Sequence, residues 1–197
     1  MADDNSPQTE HPVSRQAVQR FCDGCNCSQS VLSVFAERYG LDQSLAMRIA
    51  TGLGGGVGRM GGVCGTLTGA ALVLGLEQGP RTRLGHNAKE ETYLATRRLQ
   101  ERFIQRHGSN QCRDLLEQDL SIQEEYLQAR ELGLFKSRCP EYVETAVSLL
   151  DEWLEEKQAN MKQKILTMLE LQDAMNAKVN PDWRDAGYPW YLSLIHI

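Results

Sequence analysis

Six cysteines are the residues of this chain best equipped for chemistry, and their spacing is uneven. Cys22, Cys25 and Cys27 form a CxxC overlapping a CxC, whereas Cys64, Cys112 and Cys139 stand far apart. A cysteine thiolate is the nucleophile of disulfide exchange and a ligand of iron–sulfur and zinc sites. The question is therefore which thiols are held as thiolates. Four share one context. Cys27 opens a predicted helix running to Tyr39. Cys64 opens an apolar helix behind a run of glycines, and Cys112 opens Arg113-Asp114-Leu115-Leu116. Cys139 precedes Pro140, a residue favoured at the first helical position, which makes Cys139 the expected cap. A helix N-terminus presents unpaired N–H groups and partial positive charge. Both favour a thiolate and can draw a cysteine pKa from about 8.5 toward 3.5–7.5. Cys27, Cys64, Cys112 and Cys139 are thus the candidate catalytic cysteines, and the candidate metal ligands if all four converge. Cys64 is the expected attacking thiolate, because the glycine loop can leave it accessible. Arg59 is the nearest cation in sequence and is its expected electrostatic support.

The elements that must position these thiols read as helices. Residues 1–14 form a polar, acidic leader, with helical periodicity starting at Ser14, the expected cap. Asp23-Gly24 interrupts it. Asp42 caps a short helix through Leu45 and Ile49. Eight glycines then fall within residues 52–65. The uncharged segment Val63–Leu76 follows and reads as a central buried helix, in which Gly65 and Gly69, four apart, permit close approach of a second helix. Further helices are expected at 88–106, 112–117, 121–132 and 140–156. A polar joint at 157–160 and a last amphipathic helix at 161–177, stopped by Asn180-Pro181, complete the reading. No segment alternates with period two for long, so the fold class is all-α. Gly56-Val57-Gly58-Arg59-Met60-Gly61 matches GxGxxG, but a dinucleotide site needs a strand before that loop. The CxxC pair lacks a following βαβ pattern, which argues against a thioredoxin fold, and zinc would prefer two tight cysteine pairs. His86 and His107 read as surface residues, and Glu152, Glu155 and Glu156 as a solvated helix face.

Composition bounds the function. The chain has 197 residues, a net charge of −5 and 41% hydrophobic residues. Nucleic-acid binding wants a basic stripe, so that class is disfavoured. There is no secretory signal pattern and no apolar run near the 20 or so residues that a bilayer requires, so membrane insertion is not expected and a cytoplasmic location is. In a reducing compartment, six cysteines then call for a role other than structural disulfides.

Asn26-Cys27-Ser28-Gln29-Ser30-Val31-Leu32, Gly54-Gly55-Gly56-Val57-Gly58 and Val63-Cys64-Gly65-Thr66-Leu67-Thr68-Gly69 resemble the redox-active family named for its C-GCAxxG-C-C cysteine pattern. Gly108-Ser109, Cys112-Arg113-Asp114-Leu115-Leu116 and Cys139 with its following helix continue the resemblance, which covers about residues 15–157. The family's four cysteines fall on Cys27, Cys64, Cys112 and Cys139, with Cys22 and Cys25 as additions. Thr66 stands where the family usually has alanine. The resemblance implies a redox class without a defined reaction.

A second resemblance begins at Met161. Residues 161–176, with Val179-Asn180-Pro181-Asp182-Trp183 and Gly187-Tyr188-Pro189-Trp190-Tyr191, are similar to the start of a dimeric all-α dUTP diphosphatase. That resemblance implies nucleotide-contacting roles for Gln172 and Asn176, which are four apart on one helical face. The family's magnesium-binding carboxylates lie on later helices, so diphosphatase activity is not expected. Residues 192–197 resemble a translated adapter read-through and are set apart as a non-native tail. The expected organisation is a leader at 1–14, a four-cysteine helical domain at 15–157, a diphosphatase-like helix at 158–191 and the tail.

The leading reading is a thiol redox protein that cycles between dithiol and disulfide with an unassigned partner protein. The alternatives are an iron–sulfur cluster or zinc carried by the same four cysteines, an inactive diphosphatase fragment, and a helical interaction module. Homodimer formation stays open at this level.

Overall fold

Caps and glycines decide where the helices of this chain begin and end. The computed structural model describes residues 12–83 and 85–179. Among these the helices are Pro12–Cys22, Cys27–Phe35, Gln43–Ala50, Gly65–Gln78, His86–His107, Cys112–Leu116, Gln123–Glu131, Leu134–Ser137 and Cys139–Val179. No strand occurs among the described residues, where Val63 and Gln111 form one isolated antiparallel bridge. The protein is all-α, as its periodicity indicates.

Several helix ends follow from side-chain chemistry. Asn26 accepts from the Gln29 N–H at 2.9 Å while its own N–H donates to Gln29 Oε1 at 3.0 Å, a reciprocal capping box. Asp42 accepts from the Leu45 N–H at 2.9 Å. Gly108 ends the long His86–His107 helix at φ +81°, in the left-handed region that favours glycine. Several boundaries differ from expectation, and the Cys27 helix ends at Phe35, with a separate 3-10 turn at Glu37–Tyr39 where its continuation was expected. The first helix starts at Pro12, ahead of Ser14, as proline suits a first helical turn. A short helix, Leu134–Ser137, follows Gly133 where none was expected. The polar joint at 157–160 is helical, because Lys, Gln and Ala are good helix formers and nothing there breaks the hydrogen-bond ladder. The leader as far as residue 11, the Asn180-Pro181 stop, the remaining diphosphatase-like motifs and the tail at 192–197 lie outside the described residues.

The chain divides into two compact units, Met1–Glu152 and Trp153–Ile197. In the first, the Gly65–Gln78 helix is central, with Leu67, Ala70, Val73 and Leu74 buried. It meets the Cys27–Phe35 helix at the closest backbone approach the two glycines permit. A Cβ on Gly69 would sit 2.8 Å from the Ser28 carbonyl oxygen, and one on Gly65 would sit 2.9 Å from Cys27 Cβ. Gly65 and Gly69 therefore act as the sequence suggests, letting another helix in. Phe103, Val143, Val147 and Leu150, all fully buried, belong to the same core. Arg102 pairs with Glu152 at 2.6 Å, so Glu152 is ion-paired while Glu155 and Glu156 are exposed. In the second unit the described residues are helical, and Met161, Ile165, Met168, Leu171 and Met175 are exposed along the helix.

Candidate functional site

All four candidate cysteines sit at helix N-termini. Cys27 and Cys112 are the first residues of their helices, Cys64 caps Gly65–Gln78, and Cys139 is the first residue of Cys139–Val179. Cys139 thus lies one position inside the helix, where it had been expected as cap. All six cysteines are free thiols.

The glycine loop brings the four helix starts to one place. Gly55, Gly56, Val57, Gly58 and Arg59 are consecutive residues with φ between +62° and +71°. A left-handed turn of this kind costs an L-residue roughly 1–2 kcal/mol per position, which is why glycine fills three of the five. The turn closes on itself through Gly61 N–H to Gly55 O at 3.2 Å and Gly62 N–H to Gly56 O at 3.0 Å. A Cβ on Gly56 would lie 2.5 Å from the Gly62 nitrogen. The loop then pairs with the segment before the third cysteine. The Cys64 N–H donates to Asn110 O at 2.8 Å and the Cys112 N–H to Gly62 O at 2.7 Å. Arg113 clamps the junction, donating to Met60 O at 2.6 Å and to Asp119 at 3.0 Å. On the other side, the Asn26 side-chain amide donates to Thr51 O at 2.9 Å, and Gly54 packs against Asn26 so closely that a Cβ there would clash. The cap of the Cys27 helix and the glycine loop are therefore one assembly.

That assembly creates a shared electrostatic environment for sulfur. Cys27 is held below the usual thiol range, chiefly by a hydrogen bond from the Cys139 thiol. Its burial opposes this, and its own N–H and that of Gly55 add to it. The Cys27 N–H is free for this because the first N–H groups of a helix have no intrahelical acceptor. Cys139 is pushed strongly up by the hydrogen bond it gives to Cys27, by burial, and by the charges of the other three sulfurs. Burial pushes Cys64 up to about 12 and raises Cys112 well above its ordinary value. The four thiols influence one another, and the environment favours the thiolate at Cys27 over the other three.

Cys27, Cys112 and Cys139 line a cleft of about 630 Å³. Cys64 does not line it and is 4% exposed. The expectation that the loop leaves Cys64 accessible is thus corrected. Cys64 is buried, and the more accessible thiol of the four is the partly buried Cys27. Cys64 Sγ instead contacts the buried Thr66 hydroxyl at 3.3 Å. Arg59 does not serve Cys64 either. Its guanidinium lies over the Tyr126 ring, 4.3 Å from the centroid, and it lines the cleft. Among the described residues no three His, Cys, Asp or Glu side chains are placed to hold a metal ion together.

Residues 25–153 match the family described as "Putative redox-active protein (C_GCAxxG_C_C)". The chain belongs to this family. No curated protein and no solved structure matches it. The match ends before Met161, and nothing in the comparisons supports the diphosphatase resemblance there. Gln172 is exposed and Asn176 partly buried on their helix.

Within this C-GCAxxG-C-C chain, other residues matter that the cysteine spacing did not reveal. Asn26 and Gly55 shape the Cys27 site, and the Asn26–Gln29 pair carries a capping-box spacing that was legible in the sequence. Tyr126, Arg130 and Phe135 also line the cleft, brought there from helices with no sequence signal of their own. His107, expected at the surface, has a side chain only 8% exposed. It packs against Phe103 and Tyr142, with ring centroids 4.5 and 5.0 Å away, and bonds Thr145 at 3.0 Å. No described helix is long and apolar enough to cross a membrane.

Proposed function

We propose that the protein is a thiol–disulfide oxidoreductase in which Cys27 is the attacking thiolate and Cys139 the resolving thiol. The observation that carries this reading is that Cys27 and Cys139 line one open cleft at the starts of their helices, with Cys27 held below the usual thiol range and Cys139 pushed above it by their mutual influence. In the first step the Cys27 thiolate attacks one sulfur of a partner disulfide, R–S–S–R′. A Cys27–S–S–R mixed disulfide forms and R′S⁻ leaves, taking a proton from water. The charge on Cys27 has then gone, and with it the hydrogen-bond acceptor and the main repulsion that kept Cys139 protonated. Cys139 loses its proton, its sulfur attacks Cys27, and RS⁻ leaves. Two electrons pass to the partner, which ends as two thiols, while the protein ends as the Cys27–Cys139 disulfide.

Cys64, which does not line the cleft, and Cys112, which does, are assigned supporting roles as thiols that burial keeps neutral. The test is stoichiometric oxidation of the reduced chain, followed by peptide mapping. The reading expects one intramolecular disulfide joining Cys27 to Cys139, absent in Cys27→Ser and Cys139→Ser. Oxidation that joins Cys22 to Cys25 and leaves Cys27 reduced overturns it. The competing reading, a metal or cluster on all four cysteines, draws support from their mutual electrostatic influence. Stoichiometric iron with sulfide, or zinc, lost from each of the four Cys→Ser variants, would replace the oxidoreductase reading.

A further inference from the structure

The cleft beside Cys27 has a charge pattern unlike that of the chain as a whole. The protein carries a net charge of −5, yet no Asp or Glu among the described residues lines the cleft, while Arg59 and Arg130 both do. Neither arginine forms an ion pair among the described residues. Both are instead held against one ring, with Arg59 4.3 Å and Arg130 5.9 Å from the Tyr126 centroid. A guanidinium lying on an aromatic face keeps its in-plane N–H groups free for a carboxylate fork. The rest of the wall is apolar, with Phe21, Leu116, Leu120 and Phe135. Its volume of about 630 Å³ falls within the range of small-molecule sites. A peroxide would need neither that space nor two cations.

We propose that this cleft binds a small, carboxylate-bearing disulfide, its anionic groups held by Arg59 and Arg130 and one sulfur presented to Cys27. The proposal rests on Cys27 being the attacking thiolate and adds the substrate class. The chemistry is the exchange already written, with the small disulfide as oxidant. Its two halves leave as thiols, and Cys27 and Cys139 become the disulfide.

The experiment uses the full reduced chain and three disulfide probes. These are the dianionic 5,5′-dithiobis(2-nitrobenzoate), the neutral bis(2-hydroxyethyl) disulfide and the dicationic cystamine. Modification of Cys27 is followed by peptide mass spectrometry, and each rate is divided by that of a small free thiol with the same probe. The expected result is a normalised preference for the anionic over the cationic probe of about tenfold or more at low salt, shrinking as salt screens the arginines. Arg130→Gln and Arg59→Gln should each reduce that preference severalfold when the anionic rate is referred to the neutral probe's rate in the same variant. Arg130 lies on a regular helix, so its variant keeps the test decisive if replacing Arg59, at positive φ, disturbs the loop. Equal normalised rates for all probes, or a preference that neither variant alters, overturns the binding proposal and leaves the oxidoreductase reading standing. Failure of Cys27 to react with any probe overturns both.

Discussion

Replacing Cys139 should change the acidity of Cys27 more than any other single substitution. The largest influence lowering Cys27 is the hydrogen bond from the Cys139 thiol, ahead of the two backbone N–H groups. A hydrogen bond to a charged group is worth about 1.5–3 kcal/mol. At 1.36 kcal/mol per pKa unit, Cys139→Ala should raise the Cys27 midpoint by about 1–2 units. Cys139→Ser retains an O–H donor and should raise it by much less. Rates at one pH understate the effect, because a more basic thiolate is intrinsically more nucleophilic. With a Brønsted slope of about 0.4–0.5, a one-unit rise lowers the rate at a pH below both midpoints only about threefold. The assay is therefore the full pH profile of Cys27 alkylation by iodoacetamide between pH 5 and 10, read by peptide mass spectrometry. A profile for Cys139→Ala that superimposes on the parent, or shifts to lower pH, refutes the reasoning. Equal shifts in the Ala and Ser variants would show that Cys139 matters by volume and not as a donor.

Three further outcomes follow from the packing and the buried thiols. Gly69→Ala should destabilise the protein by about 1–3 kcal/mol in urea unfolding, because its Cβ meets the Ser28 backbone, whereas Gly75→Ala, with open space around it, should be neutral or stabilising; equal effects would show that the close helix approach is not required. Cys64 is neutral when folded and raised from 9.0 to about 12, so its contribution is complete below pH 9 and lost as pH rises toward 12. Cys64 should add up to about 1.4 kcal/mol per pH unit to a slope that Cys112 and Cys139 share, so Cys64→Ala should be shallower by that amount, and unfolding midpoints between pH 8 and 10.5 that run parallel in the two proteins would contradict this. Burial lowers the His107 pKa, so its neutral form stabilises the fold above the unfolded value near 6.5 and that contribution is lost as pH falls below it; His107→Phe should flatten the drop between pH 7 and 5, and an unchanged drop would count against the buried imidazole.

The placement of the cysteines at helix starts was legible in the chain, because the signals are local. Asn26 with Gln29, a proline after Cys139 and glycines before Cys64 act over three or four residues, within the reach of backbone hydrogen bonding. The same holds for the all-α class and for Gly65 and Gly69, whose four-residue spacing leaves one bare helical stripe. Which of the four thiols is the accessible and most acidic one was not legible. Accessibility and acidity depend on which distant segments pack around each sulfur, and the glycines that permit the left-handed turn do not say which.

Cys64 illustrates the limit. Its neighbours in sequence suggest an open loop and a nearby cation, yet it is buried and Arg59 turns to Tyr126, 67 residues further along the chain. Likewise, the partnership of Cys27 with Cys139 and the arrival of Arg130 in the cleft join parts of the chain more than 100 residues apart. Local residue types could name four sulfurs and the helix ends that carry them. Which sulfur holds the charge depends on desolvation and on hydrogen bonds between distant segments, and those exist once the helices have packed.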